Sequence, residues 1–235
     1  MSFKTGLALR STFDILRQDA IKLVPLAALF IGLPEAAITY ITGYFANASG
    51  GVSDFRTWIM VAVSMLVAIL STSLLQAMVA RIASKSRRST DFGVGDVFAV
   101  VALGLVTSLG ILGGFVLLII PGIILSLAWF VAVPVMVIER VGIKESIGRS
   151  NKLTGNARGA IFGLALVIGL ASLLLGWLFQ LVADAAHDTV ISIVTSSVAQ
   201  TISGLFNAAL AVAVYNELRS SQEGSLAEDL EAIFD

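Results

Sequence analysis

At 235 residues, with 57% hydrophobic and 13% charged side chains, the chain falls far below the roughly 25% charged fraction of a soluble domain and reads as an integral membrane protein. A net charge of −1 discriminates no partner, but the lack of cysteine excludes disulfides, thiolate nucleophiles and cysteine-held metals. One histidine, His187, leaves no basis for a histidine-built metal centre.

In chain order, Leu9, Phe13, Leu16 and Ala20 recur at helical spacing while Arg10, Asp14 and Arg17 take other faces, the pattern of an amphipathic helix lying in the membrane interface. About twenty mixed residues precede the first apolar segment with no short basic region leading into it, so the N-terminus is expected to be retained. Apolar segments then follow at about 21–46 and 57–80. Residues 97–138 form an uncharged run of 42 positions, interrupted only by Pro121 and Gly122. A crossing needs about 20 residues, so this run is two crossings, about 97–119 and 122–138, folded back at Pro121 and Gly122. Its turn is expected to sit shallow and to pack against neighbouring protein, because unpaired backbone is not tolerated in lipid. A second interfacial helix is expected where Ile143, Ile147 and Ser150 share a face, Glu145 and Arg149 form an i to i+4 pair, and Gly155 with Asn156 caps the end. Crossings at about 159–183 and 189–216 complete the membrane domain, 1–222, and an acidic tail, 223–235, carries five acids and no base.

Placing the N-terminus in the cytoplasm puts 14 of the 15 basic residues on that side and leaves only Arg56 outside. Lys and Arg in short loops set orientation, so the expected fold is an all-α bundle of six transmembrane helices with two cytoplasmic interfacial helices and both termini cytoplasmic. A long re-entrant hairpin is the alternative for the third and fourth crossings. The order of elements from Leu9 to Arg81 repeats from Ile143 to Arg219, which suggests two parallel repeats around an inserted hairpin.

Polarity inside the crossings marks candidate sites. Glu35 is the one acid well inside a crossing and follows Pro34 directly. Acids at such depth often mark ion or substrate paths. Two structural readings compete: Pro34 breaks the helix and leaves Glu35 at a half-helix N-terminus, or tilt carries Glu35 to the outer interface. Ser192, Ser196, Gln200, Ser203 and Asn207 form one stripe on the sixth crossing, and Ser64, Thr72 and Gln76 share a phase on the second. Such stripes either join helices by hydrogen bonds or line a cavity. Gly110 with Gly114, and Gly159 with Gly163, have the spacing that lets helices approach closely. Arg149, Lys152 and Arg158 are candidates for an anionic lipid headgroup, against the simpler reading that they anchor the topology. His187, with Asp184 and Asp188, has no matched nucleophile and reads as a solvated loop. In the tail, Ser225 and Glu228 have capping-box spacing and Leu226, Leu230 and Ile233 align, so it is either a short acidic helix that docks on a partner or a solvated end.

The block of Pro121, Gly122, Ile123, Ile124 and Leu125, followed by Trp129, Pro134, Glu139, Gly142, Glu145, Ser146, Arg149, Ser150 and the run Leu153, Thr154, Gly155 and Asn156, resembles a known bacterial signature. It is similar to the membrane domain of glycerophosphoryl diester phosphodiesterases and to the related YciC-like inner-membrane family. Leu16 to Asp19 running into Pro34, and Tyr215 with Leu218 and Arg219, extend the resemblance over nearly the whole chain. It implies a polytopic bundle of this topology. In fused members hydrolysis belongs to a separate soluble domain for which 235 residues leave no room, so that activity is not carried over. Within the block, Pro121 and Gly122 are expected to set the hairpin, Trp129 and Pro134 to shape the returning helix, and Glu139 to join Arg149 or Arg158 in a charge cluster.

The leading functional expectation is a non-enzymatic protein of the bacterial inner membrane that binds membrane lipid, anionic lipid included, or a protein partner as an accessory or scaffold. A small transporter using Glu35, Gln76, Gln200 and Asn207 is the second reading, and a membrane-embedded lipid enzyme the third. No cofactor, metal or nucleic acid is implied.

Overall fold

The computed structural model describes residues 3–48, 55–84, 93–186 and 188–234, with side chains at 3–42, 58–84, 93–186 and 188–222. His187 and the side chains of Arg56, Lys85, Arg87, Arg88 and the acidic tail lie outside the described residues. Every described element is helical: α1 (Thr5–Ala27), α2 (Leu33–Ala48), α3 (Phe55–Ala83), α4 (Val94–Leu117), α5 (Ile119–Ala128), α6 (Ala132–Glu139), α7 (Ile143–Thr154), α8 (Arg158–Ala186) and α9 (Thr189–Phe234). This is the expected class, because lipid offers backbone no hydrogen bonds and a helix satisfies its own. Six spans are long and apolar enough to cross a membrane: Thr5–Thr42, Trp58–Ala83, Val94–Leu117, Ile119–Glu139, Arg158–Ala186 and Thr189–Gln222.

The helix α9 is the axis of the bundle, packing on α1, α2, α3 and α8. Its residues 208–215 are each at most 1% exposed, so over two turns the helix is enclosed on all sides. Alanine at 208, 209, 211 and 213 permits that enclosure, since small side chains let neighbouring backbones approach. Phe3, Ala8, Leu153, Ala157, Tyr215 and Leu218 belong to one cluster, which gathers the start of α1, the end of α7, the start of α8 and the latter part of α9 at one end of the bundle. Arg81, Asp96 and Arg140 meet around a cavity at the ends of α3, α4 and α6.

Three local features differ from the sequence reading. First, the entering chain is a single long rod. It kinks at Asp19 (φ −112°, ψ 16°), close to where the interfacial stripe was expected to end, and Phe13 packs edge-on against Phe206. At Ala28–Gly32 the helix widens into a π turn in which the Leu33 N–H bonds to the Ala28 carbonyl. The wider turn accommodates Pro34, which has no N–H and would clash with a carbonyl one α turn back. Pro34 therefore bulges the helix and does not break it.

Second, the hairpin turns at Leu118, which is extended (φ −162°, ψ 146°), and Pro121 and Gly122 lie inside the first turn of α5. A proline is tolerated there because the first amides of a helix have no intrahelical acceptor. Gly122 serves close packing: a Cβ on it would come within 2.5 Å of the Phe115 ring, and one on Gly114 would lie 3.0 Å from the Gly122 Cα. Among the described residues nothing covers the turn, and residues 116–120 are 67–79% exposed.

Third, the fourth crossing is two helices. Pro134 cannot donate to Phe130 and crowds its carbonyl, and the chain loosens at 129–131, where the Ala132 N–H turns to Trp129 O at 3.0 Å. The Ala128 carbonyl loses its helical donor and accepts from Ser150 Oγ at 2.8 Å and Thr154 Oγ1 at 3.4 Å. That exchange draws α7 onto the bundle. Its inward face is Ser146, Ser150, Leu153 and Thr154, with Ile143 and Ile147 half-buried beside them. Arg149 pairs with Glu139 and not with the expected Glu145, while Gly155 does occupy the C-cap, in right-handed conformation.

Candidate functional site

The intramembrane polar residues converge. The π turn presses on α9, because Gly32 sits against Thr201 and Ile31 against Gly204, and this contact places Glu35, in the first turn of α2, beside α9. Opposite, Thr72 and Gln76 of α3 face Gln200, Ser203 and Asn207 of α9 across a cleft of about 450 Å³ that also takes in Glu35, Ser71 and Ser172. Glu35, Gln76, Gln200 and Asn207 therefore share one site. Ser64 does not join it and bonds to the Met60 carbonyl at 2.7 Å.

α8 packs chiefly on α9, and α2 packs on α9 and α3, so the cleft lies where α2 and α8 stand apart. A second cavity of about 670 Å³ continues along α8 and α9 and shares Glu35, Ser172, Gln200 and Ser203 with the first. Together they follow α9 from Thr195 to Asn207, about 18 Å at 1.5 Å per residue. Below Asn207 the enclosed stretch 208–215 ends the track.

The side chains of this cleft are sparsely partnered. Thr72 bonds to the Ala68 carbonyl at 2.7 Å and Asn207 to the Ser203 carbonyl at 2.8 Å, both within their own helices. Among the described residues, the Glu35 carboxylate and the Gln76 and Gln200 amides have no hydrogen-bond or ionic partner in the protein. Among the described residues, Glu35 is also the single ionisable side chain lining either cavity. Polar groups in a crossing are costly unless protein, water or a ligand satisfies them, and this cleft has room for either of the last two. It supplies acceptors and amide donors for hydrogen bonding.

At the opposite, charged end, Glu139 Oε1 accepts from the Tyr215 hydroxyl at 3.0 Å, Glu139 Oε2 lies 3.4 Å from Arg149 Nε, and Arg219 Nη1 donates to Tyr215 at 3.4 Å. The expected cluster of Glu139 with Arg149 is present, and buried Tyr215 is the member that sequence reasoning missed. Arg158 instead donates to Asn151 Oδ1 at 2.6 Å, leaving Lys152 alone of the three headgroup candidates without a protein partner among the described residues. Trp129 lies over Gly110, where a Cβ would come within 2.5 Å of the ring, whereas Gly159 and Gly163 face open space and bring no helix close. Asp184 accepts from Gln180 at 2.8 Å, and Asp188 caps α9 by accepting from the Val190 and Ile191 amides.

The six spans define a multi-pass membrane protein. No family model, curated protein or solved structure matches the chain.

Proposed function

We propose that this is a non-enzymatic protein of the bacterial inner membrane, with both termini cytoplasmic, that holds an amphipathic lipid-class molecule in the cleft between α2 and α8. The observation that carries the reading is the set of unpartnered polar groups, Glu35, Gln76 and Gln200, around about 450 Å³ inside the membrane spans. A headgroup that donates hydrogen bonds would satisfy them, and its chains would leave through the gap toward lipid. One carboxylate without a second acid or a matched nucleophile suits binding better than bond cleavage. The resemblance to the phosphodiesterase membrane domain and YciC-like families is compatible with a membrane domain that carries no hydrolytic site. The orientation is supported by Arg81, Arg140, Arg149 and Arg219 lying at one end of the bundle.

Native mass spectrometry of the full chain released from native lipid tests the binding. A lipid-sized adduct retained by wild type and lost from Glu35→Leu and Gln200→Leu is expected; equal spectra would remove the proposal. Since the chain has no cysteine, single cysteines at Lys144 and Asp184 report orientation without background. A membrane-impermeant thiol reagent applied outside should label position 184 and not 144.

Transport is the second reading, favoured by the track of about 18 Å that joins the two cavities along α9. It requires the enclosed stretch 208–215 to open. Cysteines at Ala209 and Ala211 that never react with a small water-soluble thiol reagent, with or without ligand, would exclude it.

A further inference from the structure

At the charged end, a cavity of about 360 Å³ lies between the ends of α3, α4 and α6 and the start of α7. Among the described residues, Arg81 and Arg140 line it, with Asp96 as the one acid and Gly142 at the α7 end. Asp96 is engaged by the Gly93 amide at 2.9 Å. Arg140 has left-handed backbone (φ 55°, ψ 46°) and is the one described non-glycine residue with positive φ. That conformation is costly for any residue with a Cβ, and glycine ordinarily ends helices this way. Backbone strain kept by a long cationic side chain points to what that side chain does. The strain turns the chain at the end of α6 so that Arg140 joins Arg81 on the cavity wall. Gly142 then starts α7 with no side-chain cap, so the positive end of a helix of 12 residues meets the same cavity.

We propose that this cavity is an anion site for a phosphate group, held by the guanidinium groups of Arg81 and Arg140. Guanidinium is suited to phosphate because its planar donors match two oxygens at once. Two sources supply that chemistry: the headgroup of an anionic phospholipid, or free inorganic phosphate. The site is independent of the α2/α8 cleft.

The test uses the full chain in mild detergent, titrated by native mass spectrometry with phosphatidylglycerol against phosphatidylcholine, and separately by thermal shift with inorganic phosphate. Arg140→Gly removes the charge while relieving the left-handed backbone. It should bind phosphatidylglycerol about tenfold more weakly or worse, the scale of one lost charge-assisted hydrogen bond. Arg81→Gln should do the same and serves if Arg140→Gly fails to fold. A preference for phosphatidylglycerol that both variants lose assigns a lipid headgroup; a thermal shift by phosphate that both lose, without lipid preference, assigns the free ion. Lys152→Gln, on the exposed face of α7, should leave binding unchanged. Wild-type behaviour in Arg140→Gly and Arg81→Gln, or equal weakening by Lys152→Gln, would overturn the proposal.

Discussion

Replacing Glu35 by leucine should make the protein more stable and less functional at once. Glu35 lies within the first membrane span with no partner among the described residues, so its removal breaks no described contact. Insertion scales separate an acid from leucine by about 3 kcal/mol at a helix centre. Glu35 is only half-buried and faces a cavity, so water reaches it and roughly half of that difference survives, about 1–2 kcal/mol in favour of the leucine variant. Glu35→Gln should fall between the two. Reversible unfolding of purified protein in bicelles gives the stabilities, and native mass spectrometry on the same samples gives ligand retention. A Glu35→Leu protein less stable than wild type by more than about 1 kcal/mol would refute the reasoning, because it would mean that Glu35 supports a contact worth more than its desolvation. Increased stability with undiminished retention would leave the carboxylate with no part in binding.

Ser150→Ala should cost about 1–2 kcal/mol in the same unfolding assay, since the Ala128 carbonyl keeps only the Thr154 hydroxyl at 3.4 Å. Adding Thr154→Val should cost more than the sum of the single changes, because each hydroxyl partly covers for the other. Tyr215→Phe should lower stability by about 1 kcal/mol, as Glu139 retains Arg149, whereas Glu139→Ala leaves the buried tyrosine O–H without its acceptor and Arg149 without its acid and should cost about twice that. The glycine pairs should behave oppositely: Gly122→Ala drives a methyl into the Phe115 ring and should lower the thermal midpoint, whereas Gly159→Ala and Gly163→Ala meet open space and should raise helix stability by about 0.5–1 kcal/mol each.

Much of the cleft is legible in the sequence because a helix keeps its stripes. The spacing of Ser196, Gln200, Ser203 and Asn207 puts them on one face before any partner is known, and Thr72 with Gln76 does the same on α3. Ser172 carries no such signal, being a lone serine among leucines on α8. Its role comes from the gap that α8 leaves, a tertiary fact. The hairpin is legible as a fold-back, but its turn falls three residues before the expected proline. Proline and glycine mark turns in water, whereas here they fill the first turn and the tightest contact of α5, and the reversal falls on an extended leucine. The break at 129–131 has its cause in view at Pro134. What stabilises it is Ser150, 22 residues on, which supplies the missing donor. Likewise Tyr215 and Glu139 are 76 residues apart, and no local pattern links them.

The bare apolar tip of the α4–α5 hairpin carries a consequence for where the protein resides. Residues 116–120 present five exposed aliphatic side chains and no charge, indole or phenol to hold the turn at a fixed depth. The arms are stitched to each other through Gly114 and Gly122, so the tip cannot shorten to suit a thin bilayer. Mismatch then costs a fraction of a kcal/mol per ångström, borne mainly by these five residues. The hairpin thus acts as a gauge of hydrocarbon thickness. In vesicles of graded acyl length, a fluorophore at Leu118 should pass from lipid to water as the chains shorten, while one at Ser84 should hardly move.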